Sequence, residues 1–316
     1  MEFTTKQTIA DKCKLYLSST NLSQTDFAIK VDVSKEYLSN ILKIGSDFTV
    51  KTGNKPVVIA DKYFVRIADF IGHSITKSFW EIYPTQQLQS IAADLMDAKK
   101  FGTTNLIIGE TGAGKSHAID IILRKYPADT FIVRVGSNDN MNDLIDKILD
   151  TLKIAKGKTK SKKLRDIAFK LRSLSDDGLQ PQLILDESEY MKVAALCAMK
   201  ELHDYLNMYC SIVLVGTEQL LRNLDSLRKR NRNGIPQFYR RIKFGIRRLP
   251  SIDRSFKLFL ENESKEVQRY LRTICDNYGE LHDVLVPVRR EAERTNTTIT
   301  PAFINTVLNI QTLPTF

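Results

Sequence analysis

The chain has 316 residues, 42% of them hydrophobic, and its 47 Lys and Arg against 37 Asp and Glu leave a formal net charge of +10. This length sets two or three folding units as the expectation, the apolar fraction suffices for packed cores, and the charge balance favours a polyanionic partner. Four scattered cysteines (Cys13, Cys197, Cys210, Cys275), without a C-x-x-C pair or clustering with histidine, argue against a disulfide framework and a zinc site. No apolar run is long enough to span a bilayer, and Met1–Lys6 opens no signal-type segment, so a soluble intracellular protein is expected.

In chain order, residues 1–72 read as a helical unit. Ile9, Cys13, Leu15, Tyr16 and Leu17 predict a first helix. Leu22–Ala28 predicts a second, with Ser23 as N-cap, and Val33–Leu42 a third, with Ser34 as N-cap. The spacing resembles a helix-turn-helix. Asp32 takes the turn position where that motif usually has glycine, and Asp tolerates a left-handed backbone. On this reading Lys35, Tyr37 and Asn40, with Ser34 and Ser39, lie on the exposed side of a DNA-recognition helix. A three-helix bundle used for protein contacts is the alternative. Thr52-Gly53-Asn54-Lys55 signals a turn in a small hairpin. Ile59–Ile71 returns to helical spacing, and residues 73–84 read as a linker.

Residues 85–250 carry the chemistry. Thr104–Ile108 reads as a buried strand, and Ser116–Lys125 as a helix with Ile119, Ile121, Ile122 and Leu123 apolar. Between them Gly109-Glu110-Thr111-Gly112-Ala113-Gly114-Lys115-Ser116 fits the phosphate-binding loop G-x-x-x-x-G-K-[ST]. Backbone N–H groups and a helix N-terminus there make an anion site. Lys115 would reach the β and γ phosphates of ATP, and the Ser116 hydroxyl would hold Mg²⁺. His117, next in the helix, is counted with the site. Pro181–Glu187 is an apolar strand ending in two carboxylates, Asp186 for the metal and Glu187 for the attacking water. Ser211–Glu218 is another such strand. Its Thr217 would orient the water or simply cap the strand end.

Positive charge is concentrated in two places. Residues 222–254 hold eleven Lys and Arg against Asp225 and Asp253. Within them, Arg240 and Arg241 can reach the nucleotide of a neighbouring subunit and stabilise the transferring phosphoryl group. Spacing does not choose between these two, and polyanion contact or plain surface charge are the alternatives. Residues 156–165 hold six basic groups and no acid. Lys156, Lys158, Lys160, Lys162 and Lys163, with Gly157, suggest a mobile loop that orders on DNA, or an ordinary solvated loop. Phosphate contacts of this kind give affinity without sequence readout.

Strands expected at Leu106–Ile108, Thr130–Val135, Leu183–Asp186, Ser211–Val215 and Ile242–Leu249 alternate with helices, which implies an α/β parallel sheet. Residues 251–316 show helical candidates at 256–260, 267–278, 281–292 and 301–310, a small lid.

The order of phosphate loop, Asp-Glu strand, Gly-Thr strand, Arg-Arg pair and helical lid over residues 80–316 resembles the AAA+ ATPases. With the amino-terminal helix-turn-helix it resembles the transposition ATPases of the phage Mu type, related to the target-selection ATPases of the TnsC, TniB and IstB type. The resemblance implies an ATPase that binds double-stranded DNA when ATP is bound. Such a protein assembles into a ring or helical filament, delivers that DNA to a transposase and releases it on hydrolysis, in the cytoplasm of a bacterial host cell. A replication initiator or helicase loader, or a regulator that uses ATP only as a ligand, are the alternative functions. One departure stands out. AAA+ lids often place an arginine on the nucleotide, where Tyr278-Gly279-Glu280-Leu281-His282 has a histidine, so Arg289, Arg290 or Arg294 are candidates to substitute.

Overall fold

The structure, a computed structural model, describes residues 1–20, 22–52, 55–73 and 79–310. Contacts group the chain into two compact units, Met1–Ser78 with Ile121–Ala128, and Phe79–Asp120 with Asp129–Phe316.

The first unit holds α1 (Phe3–Thr20), α2 (Gln24–Lys30), α3 (Lys35–Leu42), strands β1 (Thr49–Thr52) and β2 (Lys55–Val58), and α4 (Asp61–Phe70). The expected caps form: the Ser23 hydroxyl accepts from the Asp26 N–H and that of Ser34 from the Tyr37 N–H. Asp32 adopts the left-handed conformation with φ 51°. Its carboxylate and carbonyl both accept from Arg66, each at 2.7 Å. The hairpin is antiparallel, with Thr49 opposite Val58. The turn expected at Gly53-Asn54 and residues 74–78 of the expected linker lie outside the described residues.

The second unit enters through α5 (Gln86–Phe101) and continues with β3 (Thr104–Ile108), α6 (Lys115–Lys125), whose residues from Ile121 group with the first unit, β4 (Thr130–Arg134), α7 (Met141–Leu152) and α8 (Lys160–Asp176). Then come β5 (Gln182–Asp186), α9 (Val193–Leu206), β6 (Ser211–Gly216), α10 (Glu218–Lys229), α11 (Ile235–Ile242) and β7 (Ile246–Arg248). The five strands form one parallel sheet in the order β4-β5-β6-β3-β7, flanked by helices. Strands β3, β5 and β6 are buried along their whole length, as near-continuous apolar runs in a covered parallel sheet should be. Four helices, α12 (Lys257–Leu260), α13 (Lys265–Ile274), α14 (Tyr278–Thr295) and α15 (Pro301–Leu308), build the lid around Phe256, Leu260, Leu271, Leu281, Leu285 and Ile304. None of the described helices is long and apolar enough to cross a membrane.

Two expectations are corrected. The strand expected from Ile242 begins only at Ile246. Gly234 and Pro236 start α11, whose Ile235, Phe238 and Ile242 are buried at helical spacing, so residue 242 ends a helix instead. The lysine-rich segment is also not a loop throughout. Thr159 caps α8 and Leu164, Ile167, Ala168 and Leu171 bury one face of it, so Lys160, Lys162 and Lys163 belong to the first turn of a helix.

Candidate nucleotide-binding site

The carboxyl ends of β3, β5 and β6 open into a cleft of about 570 Å³, closed on its far side by the lid. It is lined by loop residues 111–117, by Asp186, Glu187, Glu189, Gly216 and Thr217 from the sheet edge, and by Phe259, Tyr278, Gly279 and His282 from the lid. The phosphate loop, Asp186, Glu187 and Thr217 thus come together although 108 positions separate Gly109 from Thr217.

The loop is strung from the sheet. The Gly109 N–H donates to the Gly216 carbonyl at 3.1 Å, and Lys115 Nζ donates to the carbonyls of Gly109 (2.9 Å) and Glu110 (2.7 Å). Burial pushes the Lys115 pKa below its ordinary value, against the opposing pull of Glu189, Asp186 and Glu110. Ser116 Oγ donates to Asp186 Oδ2 at 2.6 Å, and the other Asp186 oxygen accepts from the Glu187 N–H at 3.0 Å. Asp186 is buried, whereas Glu187 is exposed in the left-handed region at φ 58°. Thr217 starts α10 without a side-chain cap bond, so its hydroxyl is not spent on the simple cap that the sequence left open.

The loop is also tied to the lid. Ala113 is buried within the lid's apolar cluster, and the Gly279 N–H donates to the Gly112 carbonyl at 3.3 Å. Gly112 has φ +74°, and a Cβ there would fall 2.1 Å from Asn277 Oδ1, so only glycine fits. Glu110 Oε2 accepts from Arg254 at 2.7 Å, and that bond holds the Glu110 carboxyl below the ordinary range.

The wall facing the loop is aromatic. Trp80 stacks on Phe259 with centroids 4.8 Å apart, and Tyr83 meets the same ring edge-on at 4.9 Å. His282 presents its ring to Trp80 at 5.1 Å and lines the cleft. No lid arginine does so among the described residues. Arg289 is held by Glu263 at 2.7 Å and Arg294 by Glu291. Sequence reasoning missed Trp80, Tyr83, Phe259, Asn277 and Glu189. The one tryptophan of the chain, in a stretch read as linker, was the available signal.

The remaining candidate residues divide by partner. Arg241 makes a two-pronged bond to Asp204 at 2.6 and 3.0 Å, while Arg240 is exposed with no ion pair among the described residues. Lys156 pairs with Asp150 and Lys163 with Asp146, leaving Lys158, Lys160 and Lys162 exposed and without an acidic partner among the described residues. In the first unit Lys35 is exposed, but Tyr37 packs edge-on against Tyr63 at 5.1 Å. Asn40 donates to the Thr49 carbonyl and accepts from Ser46 Oγ, both at 2.6 Å, and so braces the hairpin.

A sequence profile described as the AAA domain matches residues 102–224. In fold the chain is similar to Cdc6p from Pyrobaculum aerophilum, with TM-score 0.55 and 16% identity over 77% of this chain and 70% of that one. It is likewise similar to the ORC2 protein of Aeropyrum pernix in its ADPNP–ADP complexes, with TM-score 0.51 and 16% identity over 75% of this chain and 72% of that one. No curated protein sequence matches the chain. The chain therefore contains an AAA-type P-loop domain, and its sheet, flanking helices and lid have the AAA+ fold.

Proposed function

We propose that the chain is an ATP-dependent, non-sequence-specific DNA-binding ATPase that assembles on double-stranded DNA as a ring or filament. It holds that DNA as target for a transposase and releases it on hydrolysis. The observation that carries this reading is the convergence of Lys115, Ser116, Asp186, Glu187 and Thr217 on one cleft. Lys115 would exchange its two loop carbonyls for phosphate oxygens. Ser116 and Asp186, hydrogen-bonded hydroxyl and carboxylate, are the hard oxygen donors that fit Mg²⁺. When bound, that ion would neutralise negative charge developing on the phosphates. Glu187 and Thr217 line the same cleft and would orient a water. The aromatic wall of Trp80 and Phe259 offers a stacking surface for a base.

Assembly is supported by Arg240, which is exposed at the end of α11 and suits a role on a neighbour's nucleotide. DNA contact is supported by Lys158, Lys160 and Lys162 around the start of α8, where the helix dipole adds to their charge. The fold shared with Cdc6p and an ORC2 protein favours one second reading, a replication-initiator or helicase-loader ATPase on the same core.

Electron microscopy and anisotropy with random duplex, Mg²⁺ and a slowly hydrolysed ATP analogue test the choice. Filaments on arbitrary duplex are expected; saturable binding to one short site would favour the second reading. If Lys115→Ala leaves both DNA grip and self-association unchanged, neither reading survives.

A further inference from the structure

Met208 stands where its turn calls for glycine. The Tyr209 N–H closes the turn on the Leu206 carbonyl at 2.9 Å, with Asn207 at φ −51° and ψ 127° and Met208 at φ 71°. These are the angles of a type II turn, whose third residue takes positive φ and favours glycine or asparagine. A long side chain in this left-handed region is strained. No burial offsets the strain, because Met208 is 75% exposed. Strain kept at an exposed apolar residue points to a contact outside the chain.

The turn is one of three segments that meet at the amino ends of neighbouring strands, whereas the nucleotide cleft opens at the carboxyl ends. It precedes β6, Phe101-Gly102 precedes β3, Lys243-Phe244-Gly245 precedes β7, and β3 lies between β6 and β7 in the sheet. The segments touch at the backbone. A Cβ on Gly102 would fall 2.9 Å from the Met208 carbonyl carbon, and one on Gly245 would fall 2.5 Å from the Thr104 carbonyl oxygen. Phe101, Met208, Tyr209 and Phe244 are all exposed there, Phe244 at 82%. Each ring of this surface carries a cation. Lys100 Nζ lies 5.2 Å from the Phe101 centroid and Lys243 Nζ 4.5 Å from that of Phe244. The Arg172 guanidinium lies 4.6 Å from the Tyr209 centroid, held by its bond to the Tyr205 carbonyl at 2.7 Å. Lys100 and Lys243 have no acidic partner among the described residues. Asp204, just before the turn, is already engaged by Lys200 and Arg241, and Asp97 stands one turn before Phe101 on α5.

We propose that this surface docks a protein segment in which carboxylates alternate with large apolar side chains. The carboxylates would draw the ammonium groups off the rings, and the apolar side chains would cover the rings and Met208. The spacing of charge selects this occupant. One cation per ring interleaves charge with apolar area, as such a segment does. It is sparse beside duplex DNA, which carries a negative charge about every 1.7 Å. A second copy of the chain meeting this surface face to face would set like charges against each other. The inference is independent of the reading of the cleft, which lies at the other end of the strands.

The test is fluorescence anisotropy of the full chain with a short labelled peptide alternating aspartate with leucine and phenylalanine. The same peptide with lysine for aspartate and a labelled oligothymidine run beside it. The acidic peptide should bind with a Kd of about 100 µM or tighter, and the basic one at least about tenfold more weakly. Phe244→Ser should weaken the acidic peptide about tenfold or more. Lys100→Glu combined with Lys243→Glu should invert the preference between the two peptides. Met208→Asn should weaken binding while melting no lower than the parent, because asparagine tolerates the left-handed turn position. It keeps the test open should Phe244→Ser fail to fold. No binding of the acidic peptide by the parent, or parental affinity in both Phe244→Ser and Met208→Asn, overturns the proposal. Oligothymidine that competes with the acidic peptide and is lost in the same variants would make the occupant a nucleic acid and overturn it too. Self-association of the parent that Phe244→Ser abolishes, with no peptide bound, would assign the surface to a second copy and overturn it equally.

Discussion

Gly112→Ala is the sharpest probe of the contact between phosphate loop and lid. The native φ of +74° costs an L-residue with a Cβ about 1–2 kcal/mol. The new Cβ would lie 2.1 Å from Asn277 Oδ1 and 2.8 Å from its Cβ, so Asn277 must move. That oxygen is the N-cap of α14 and accepts from the Glu280 N–H at 2.9 Å. Losing the cap costs about 1 kcal/mol more. The total of roughly 2–3 kcal/mol, charged to the closed arrangement of loop and lid, corresponds to a loss of nucleotide affinity of about 30- to 150-fold. Titration with a fluorescent nucleotide measures it, with thermal melting to show that the fold persists. The double variant with Asn277→Gly removes the obstructing side chain, and glycine at an N-cap costs only a few tenths of a kcal/mol. In that background the Gly112→Ala penalty should shrink by about 1 kcal/mol, a non-additivity expected of touching residues. Affinity of Gly112→Ala within threefold of the parent, or strict additivity in the cycle, would refute the reasoning.

Three further outcomes are expected. Arg241→Ala breaks the bond to Asp204 and should lower stability by roughly 1 kcal/mol or slightly more with little effect on DNA-stimulated turnover, whereas Arg240→Ala should leave the melting temperature alone and cut turnover by about 10³-fold or more; the reverse pattern would exchange their roles. Replacing Lys158, Lys160 and Lys162 by alanine should flatten the plot of log DNA affinity against log salt by up to about 0.9 for each lysine that meets a phosphate, and an unchanged slope would remove them from the interface. His203, whose Nδ1 lies 2.8 Å from Thr104 Oγ1, has its pKa pushed below the ordinary 6.5 by burial, so the unfolded chain takes up this proton first as pH falls. Its share of stability is complete above pH 6.5 and is lost as pH drops toward the folded value, so melting temperature should decline as pH falls below about 6.5, and His203→Gln should lessen that decline.

How far the site could be read in advance depended on how its residues are connected. The phosphate loop was readable because its chemistry needs eight consecutive residues between a strand and a helix. Asp186 and Thr217 were readable because an apolar strand ending in a polar group delivers that group to a known edge of a parallel sheet. Trp80, Phe259 and Asn277 belong to no contiguous pattern, and only the docking of the lid brings them to the loop. Glu189 was hidden by its neighbours: in Asp186-Glu187-Ser188-Glu189 the first two acids satisfy the motif, and the 3-10 turn that points the third into the cleft has no signature of its own. Residues 242–249 were misread because Ile242, Phe244 and Ile246 alternate like a strand while Ile235, Phe238 and Ile242 repeat like a helix, and the start at Gly234 and Pro236 decides for the helix. The lysine run drew attention to charge, while Thr159 and the apolar spacing behind it already marked a helix start.

The same magnitudes decide what couples loop to lid. The Glu110–Arg254 pair is the most visible bond between them, but both side chains are about half exposed, and such a pair is worth about 0–1 kcal/mol and weakens with salt. The Gly279–Gly112 bond is long at 3.3 Å. Ala113, only 3% exposed and packed among lid side chains, and the glycine-sized fit of Gly112 under Asn277 do not depend on ionic strength. Packing must therefore carry most of the connection. On the proposed reading, a polyphosphate that reshapes the loop would act on the lid through two residues inside the phosphate motif itself, and raised salt should leave that coupling standing while it loosens any DNA held. Nucleotide would then still act on the lid at salt concentrations where the proposed DNA contacts fail, so that salt would separate the two equilibria in a single titration series.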